Sequence, residues 1–329
     1  VVTQVRFILR RIAFYLVTAW AAITMNFLIP RLMPGSPENV VLQKFSGNVT
    51  PEQIAAVKVQ FGLSDASFLS QYGTYWKNLF KGDLGISIDR FPTPVSEVIG
   101  QGIWWTVVLV GVATLLSFAL GTGLGILVAW RRGSRLDALL PVTTFFSAVP
   151  YFFIALVALT VFGTELGLFP ESGGYRPELV PGMSGEFVSS AISHSVLPAV
   201  TIIVSSLAGW LLGMRNMMMT TISEDYVLVA EAKGLRERRV MLGYAARNAI
   251  LPNISGFAMS LGFVISGSIV TETVFSYPGI GQLLFRAVLA NDYPLMQGIF
   301  LIITLVVLLA NFVVDMCYVL LDPRIRQEG

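Results

Sequence analysis

The chain has 329 residues, of which 54% are apolar and only 13% charged, with a formal charge of +2. A charged fraction about half that of an average soluble domain excludes an ordinary soluble enzyme and points to a membrane protein, with lipid rather than nucleic acid as its surroundings. The single cysteine, Cys317, excludes an intrachain disulfide or a cysteine-based metal site and reads as a packed, inert residue.

Six segments reach the roughly 18 to 20 residues needed to cross about 30 Å of hydrocarbon. They cover 12–30, 104–130, 138–164, 195–214, 253–271 and 295–314. Arg6, Arg10 and Arg11 precede the first, but no small-residue cleavage pattern follows, so it is expected to remain as a helix. Basic residues gather beside alternate ends: Arg6, Arg10 and Arg11; Arg131, Arg132 and Arg135; the loop after helix four; and Arg324 with Arg326. Basic flanks stay cytoplasmic, so both termini are expected inside after six crossings. Trp20, Trp104, Trp105 and Trp130 suit the membrane interface or ordinary packing.

Between the first two helices, residues 31–102 form an extracytoplasmic region too long for a turn. Thr50, Pro51 and Gln53 start a helix whose face carries Ile54, Val57 and Phe61 until Gly62 ends it; a second is expected over 68–80. The region is either a docking platform for a substrate carrier or a cap over helix ends, and composition favours the cap. In helix two, Gly121 and Gly125 have GxxxG spacing, with Ala129 continuing the small face, which suits close packing in lipid. Pro150 removes a helix bond in helix three and predicts a kink there. The following loop, 165–193, is rich in Gly and Pro and offers turns.

His194, the only histidine, has no ligand-spaced partner and is assigned a capping or interfacial role rather than a metal one. Helix five carries Ser255, Gly256, Ser260, Gly262, Ser266, Gly267 and Ser268. Such a face either packs closely or lines a wet cavity, and the sequence does not separate the two. After PGIG, Ile280, Leu283, Leu284 and Val288 follow helical spacing until Asn291 to Pro294 break it, which predicts a short amphipathic helix at the membrane surface. Ser260, Ser266, Asp292 and Tyr293 are the candidate pathway or outer-gate residues. Asp315 is expected to pair near the end of helix six.

The longest polar interruption is 223–252, between helices four and five, with Lys233, Arg236, Arg238, Arg239 and Arg247. Each such charge would cost about 2.5 to 3.5 kcal/mol at mid-bilayer, so the segment lies outside it. Ser223 is expected to cap a first helix that Gly234 ends in the left-handed conformation; a basic helix over 236–248 follows and stops before Pro252. This elbow either transmits force or rests on anionic headgroups, and charge alone favours the headgroups.

Within it, Ala230, Ala232, Lys233, Gly234 and Leu235, then Arg247, Asn248, Ala249, Leu251 and Pro252, resemble the coupling loop of binding-protein-dependent ABC importers of the dipeptide/oligopeptide permease family. Glu231 stands where that family usually has arginine, and 243–246 also depart from it. Further matches run in order: PGSP at 34–37, where the family usually has P-G-D-P, Gly62-Leu63, Gln71-Tyr72, Trp76, Gly82 to Ser87, Val274-Phe275, Pro278-Gly279, Gly281, Asp292 to Pro294, Gln297-Gly298 and LDPRIR at 321–326.

The resemblance implies an all-α polytopic fold in the bacterial inner membrane: the N-terminal segment and first helix at 1–30, the extracytoplasmic insertion at 31–102, and a permease core at 103–329 containing the 223–252 loop. It implies a non-catalytic subunit of the type with the larger outer region. Its partners are a second permease, two ATPase subunits that bind ATP and Mg, and an extracytoplasmic solute-binding protein. The chain itself lacks a G-x-x-x-x-G-K-[ST] phosphate loop. Peptide is the expected solute class, with oligosaccharide, glutathione or a nickel chelate as alternatives. A secondary transporter would place ionisable groups or broken helices near mid-bilayer, where only Asp315, close to an end, is available. An intramembrane hydrolase needs a Ser/His pair, two aspartates or H-E-x-x-H, and the spans offer none.

Overall fold

The computed structural model describes residues 2–32, 67–264 and 269–321. The expected Thr50-capped helix, the motifs at 34–37 and 62–63, Ser266 to Ser268, the 322–326 stretch and the Cys317 side chain lie outside the described set.

A long apolar run satisfies its backbone in lipid by coiling into a helix. Helices accordingly dominate: α1 Val2–Leu32, α2 Phe68–Phe80, α3 Val95–Trp130, α4 Leu139–Ala148, α5 Tyr151–Ala158, α6 Gly185–Thr221, α7 Asp225–Ala232, α8 Glu237–Val240, α9 Leu251–Phe263, α10 Ile269–Val274, α11 Ile280–Leu289 and α12 Tyr293–Leu321. One isolated bridge, Ile86 with Pro94, is the β pairing found among the described residues. Among the described residues, four helices are long and apolar enough to cross a membrane: α1 over Leu9–Ile29, α3, α6, and α12 over Tyr293–Val313. A fifth span arises if Arg135–Ala148 and Tyr151–Glu165, bent by 96°, count as one. The break falls at Pro150, where the preceding Val149 is forced into extended backbone (ψ 126°). The expected kink is therefore a full break. The expected fifth helix is described as α9 and α10, with 265–268 outside the described residues.

The chain forms two compact units, one of Val1–Trp105 with Gly279–Gly329 and the other of Thr106–Pro278. In the first, α1 packs along α12. Arg11 pairs with Asp315 at 2.9 Å, and the Tyr15 hydroxyl donates to the same carboxylate. About three turns beyond Tyr15, the Asn26 side chain donates to the Gln297 carbonyl and the Gln297 side chain donates back to the Asn26 carbonyl. The core of this unit joins Val95, Val98 and Ile99 to Ile280, Leu283, Leu284 and Ala287 of α11 and to Leu295, Met296 and Ile299 of α12. The short amphipathic helix predicted for the membrane surface thus has a packed apolar face. Gly298 lets α12 approach Val95 so closely that a β-carbon there would collide with it.

In the second unit, Gly121 and Gly125 of α3 lie against α6. A β-carbon on Gly121 would be 2.8 Å from the Leu207 carbonyl oxygen, and one on Gly125 would be 2.6 Å from that of Leu211. The small-residue spacing therefore marks a true backbone approach. Phe118, Trp210 and Phe257 cluster beside it, and the Asn253 amide donates to the Trp210 carbonyl at 3.2 Å. Helix α6 begins well before the predicted 195, with the Ser184 hydroxyl accepting from the Phe187 N–H. His194 is consequently inside the helix and buried, its ring nitrogen 2.7 Å from the Ser190 carbonyl. This replaces the predicted helix-end position. Tyr277 bonds to Ser195; burial pushes its phenol up, the Ser195 hydroxyl opposes that, and Glu272 adds to the rise, so it remains a neutral hydrogen-bonding group.

Candidate functional site: the elbow at 223–252

The elbow is built by two ends of secondary structure. Helix α7 ends at Ala232, Lys233 occupies the C-cap, and Gly234 follows with φ +69°. Its N–H donates to the Glu231 carbonyl at 2.8 Å, and the Leu235 N–H reaches the Ala230 carbonyl at 3.4 Å. This paired closure needs the left-handed residue that glycine adopts without steric cost. At the other end of α7 the structure corrects the predicted cap. Glu224 holds the N-cap position, whereas the Ser223 hydroxyl donates backwards to the Thr220 carbonyl. A hydroxyl satisfied by the preceding helix is not available to the next one.

The basic segment starts at Glu237 as α8, winds more loosely through Met241–Ala246, and tightens again over Arg247–Ala249. It ends at Ala249, with Ile250 as its C-cap, before Pro252 as expected. Pro252 sits in the first turn of α9, where its missing N–H is no loss, so the backbone passes almost directly into α9. The wider turn helps bring Val240, Ala245, Ala246 and Ala249 inward. They join Val227 and Ala230 of α7 against Ala129, Met214 and Met218, near the ends of α3 and α6. Leu235 packs at the edge of that cluster. The Trp130 indole N–H donates to the Glu237 carboxylate at 2.7 Å and ties α3 to the start of α8.

The opposite side of the elbow is open. Glu231, Ala232, Lys233, Gly234, Arg247, Asn248 and Pro252 are exposed, as are Arg236, Arg238 and Arg239. Leu228 is 50% and Val229 51% exposed, with Tyr226 and Leu242 also uncovered. Apolar side chains set among charges on a buttressed element form a surface suited to a protein partner. Asn248 donates to the Tyr244 carbonyl at 3.4 Å, a local contact within the segment.

Of the predicted pathway residues, Ser260 falls in one unit and Asp292 with Tyr293 in the other, and Ser266 lies outside the described residues. Ser260 is half-buried on α9 and donates to the Phe257 carbonyl at 2.7 Å. Asp292 and Tyr293 are buried in the other unit. Asp292 accepts from the Ser87 hydroxyl, from the Asp89 N–H at 2.9 Å and from the Leu295 N–H at 3.2 Å, which makes it the cap of α12 and an anchor for the 83–94 segment. Among the described residues, no group of three or more His, Cys, Asp or Glu side chains is placed to hold a metal ion. Sequence reasoning missed the supports of the elbow, Ala129, Met214 and Met218. For Ala129 the signal is the continuation of the Gly121, Gly125 spacing to the end of α3, while Met214 and Met218 carry none.

The family model described as binding-protein-dependent transport system inner membrane component matches residues 121–327. The chain is 33% identical to the di/tripeptide transport system permease protein DppB of Pseudomonas aeruginosa, with 98% of this chain and 99% of the relative covered. It is 32% identical to the oligopeptide transport system permease protein AppB of Bacillus subtilis, over 92% and 93%. With the dipeptide transport system permease protein DppB of Escherichia coli K12 the identity is 31%, over 99% and 100%. Among solved structures, a chain of the MetNI methionine ABC transporter in inward-facing conformations shares the fold at a TM-score of 0.53 and 14% identity, covering 68% of this chain and 96% of that one.

Proposed function

The chain belongs to the family of binding-protein-dependent transport system inner membrane components, a multi-pass inner-membrane protein, and from that premise we propose that it is the peptide-importing permease subunit of an ATP-driven transporter. The observation that carries the reading is the elbow, glycine-capped at Gly234, packed on α3 and α6 and open on its other side. A socket on an ATPase subunit would grip the exposed face around Glu231, Ala232 and Lys233. Closure of the ATPase pair would move the elbow as a body, and α3 and α6 would carry that motion into alternating access. Hydrolysis would belong to the partner subunits.

The basic flanks support six crossings with both termini and the elbow on the cytoplasmic side. Residues 31–102 would then face outward, where a solute-binding protein delivers its load, and a second permease would complete the pathway. Ser260 and Ser266 are the proposed lining residues. Asp292, with three donors converging on it, would serve an outer gate as its anchor, beside Tyr293. The names of the three relatives above support a peptide as the solute.

The test is uptake of a labelled dipeptide by vesicles containing the complete transporter. Ala232→Asp places a charge on the exposed face without entering the core, and Gly234→Pro removes both the positive φ and the bond to Glu231. Each should lower uptake roughly tenfold or more at unchanged membrane content. Normal uptake by both variants would refute coupling through the elbow.

A further inference from the structure

Helix α2 uses only part of its apolar surface. With about 100° per residue, its side chains divide into three neighbouring arcs. Phe68, Tyr72 and Tyr75 turn to α1, where all three rings meet Phe27. The Tyr72 hydroxyl bonds to that of Thr24 at 2.7 Å, and the Asn26 side chain donates to the Tyr75 oxygen. The next arc carries Leu69, Trp76 and Phe80. Leu69 is 79% and Phe80 83% exposed. Beyond it the helix turns polar, with Lys77, Ser70 and Thr74, and Lys81 follows at the C-cap.

The level of this stripe is set by its contacts. Thr24 lies within the apolar span Leu9–Ile29, five residues from its end, or about 7.5 Å along the helix axis. Helix α2 is therefore held beside the last turns of a membrane-spanning helix. On that helix Trp20, Met25 and Ile29 are themselves exposed, and in a bilayer such a surface faces lipid. The exposed Leu69 and Phe80 of α2 are thus held at the level of this span, and lysines border their stripe on its polar side, where anionic headgroups would lie.

We propose that α2 is an interfacial membrane anchor: Leu69, Trp76 and Phe80 enter the boundary between headgroups and acyl chains, while Lys77 and Lys81 meet anionic headgroups. The anchor fixes the height of the segment that follows it, up to the Asp292-bound residues 83–94. A helix buried 5 to 10 Å into the boundary matches the depth at which α2 is tied to α1.

The test uses the full chain, assembled with its partner subunits, in bilayers of phosphatidylethanolamine and phosphatidylglycerol. On a Cys317→Ala background, Leu69→Cys, Phe80→Cys and Thr74→Cys each receive an environment-sensitive fluorophore, and Met25→Cys supplies a reference on α1. Phosphatidylcholine spin-labelled near the top of its acyl chain should quench the probes at 69 and 80 at least about twofold more than the probe at 74, with blue-shifted emission at both. Either stripe position suffices if the other variant does not assemble. Equal, water-like emission at 69, 74 and 80 would overturn the proposal. So would blue-shifted emission without lipid quenching, which would mean that a protein covers the stripe.

Discussion

Replacing Gly125 by alanine probes the seam on which the elbow is mounted. The new β-carbon would lie 2.6 Å from the Leu211 carbonyl oxygen and 2.8 Å from the Met214 β-carbon. Carbon and oxygen in contact ordinarily sit about 3.3 to 3.6 Å apart, so α3 and α6 would have to separate by roughly 0.7 to 1 Å. The oxygen belongs to the backbone and cannot rotate aside. Overpacking of this kind costs about 1 to 3 kcal/mol, and the higher helix propensity of alanine returns about 0.5 to 1 kcal/mol. Gly123 supplies the control, because a β-carbon there meets nothing within 4 Å. Gly123→Ala should keep only the propensity gain. Thermal unfolding of the purified variants in one detergent, followed by tryptophan fluorescence, should therefore rank Gly125→Ala below the parent and Gly123→Ala above it. Adding Gly121→Ala to Gly125→Ala should cost less than the sum of the two, since the same seam has already opened. An unchanged midpoint for Gly125→Ala, or shifts of the same sign in both single variants, would refute the close backbone approach.

Asp292→Ala strands three donors, the Ser87 hydroxyl and the N–H groups of Asp89 and Leu295. It should destabilise the chain by about 3 kcal/mol and expose the 83–94 segment to faster hydrogen exchange, while Asp292→Asn, which keeps one of the two acceptor oxygens, should do less. Exchange that stays confined to other regions in the alanine variant would exclude the anchoring role. Ser276 has φ +48° at the end of α10, with its N–H on the Thr273 carbonyl and the Tyr277 N–H on that of Glu272. Ser276→Gly should relieve about 1 kcal/mol of strain and raise the unfolding midpoint, whereas Ser276→Val should lower it.

What could be read from residues alone was what a single local constraint dictates. The spans over α1, α3, α6 and α12 were legible because hydrocarbon demands unbroken apolar helix, and Gly234 because a left-handed cap favours glycine. Ser276 and Asn291 occupy equivalent cap positions after α10 and α11, yet neither is glycine, so neither stood out in the same way. Pro150 was legible as a disturbance but not as a 96° break, since the angle depends on what α4 and α5 pack against. Long-range choices left no local mark. Ser87 and Asp292 lie 205 positions apart, and an acidic residue before a proline-containing turn reads as a helix breaker until its partner is seen. The support of the elbow was hidden for a related reason: Met214 and Met218 are apolar residues at the end of an apolar helix, and hydropathy does not distinguish those facing lipid from those facing Val227 and Ala245.

The reciprocal amide pair between Asn26 and Gln297 has a bearing on how the protein is made. Its members are separated by 271 positions, and the Arg11 to Asp315 pair at the other end of the same two helices is of similar reach. At a translation rate of about 5 to 20 residues per second, α1 emerges roughly 15 to 55 s before the helix that satisfies it. Through that interval the Asn26 amide waits inside a nascent transmembrane segment with its Gln297 partner unmade. The unit Thr106–Pro278 closes from residues synthesised in one continuous stretch. The other unit is completed only once residues from Gly279 onward have been made, so its closure follows that of the continuous unit.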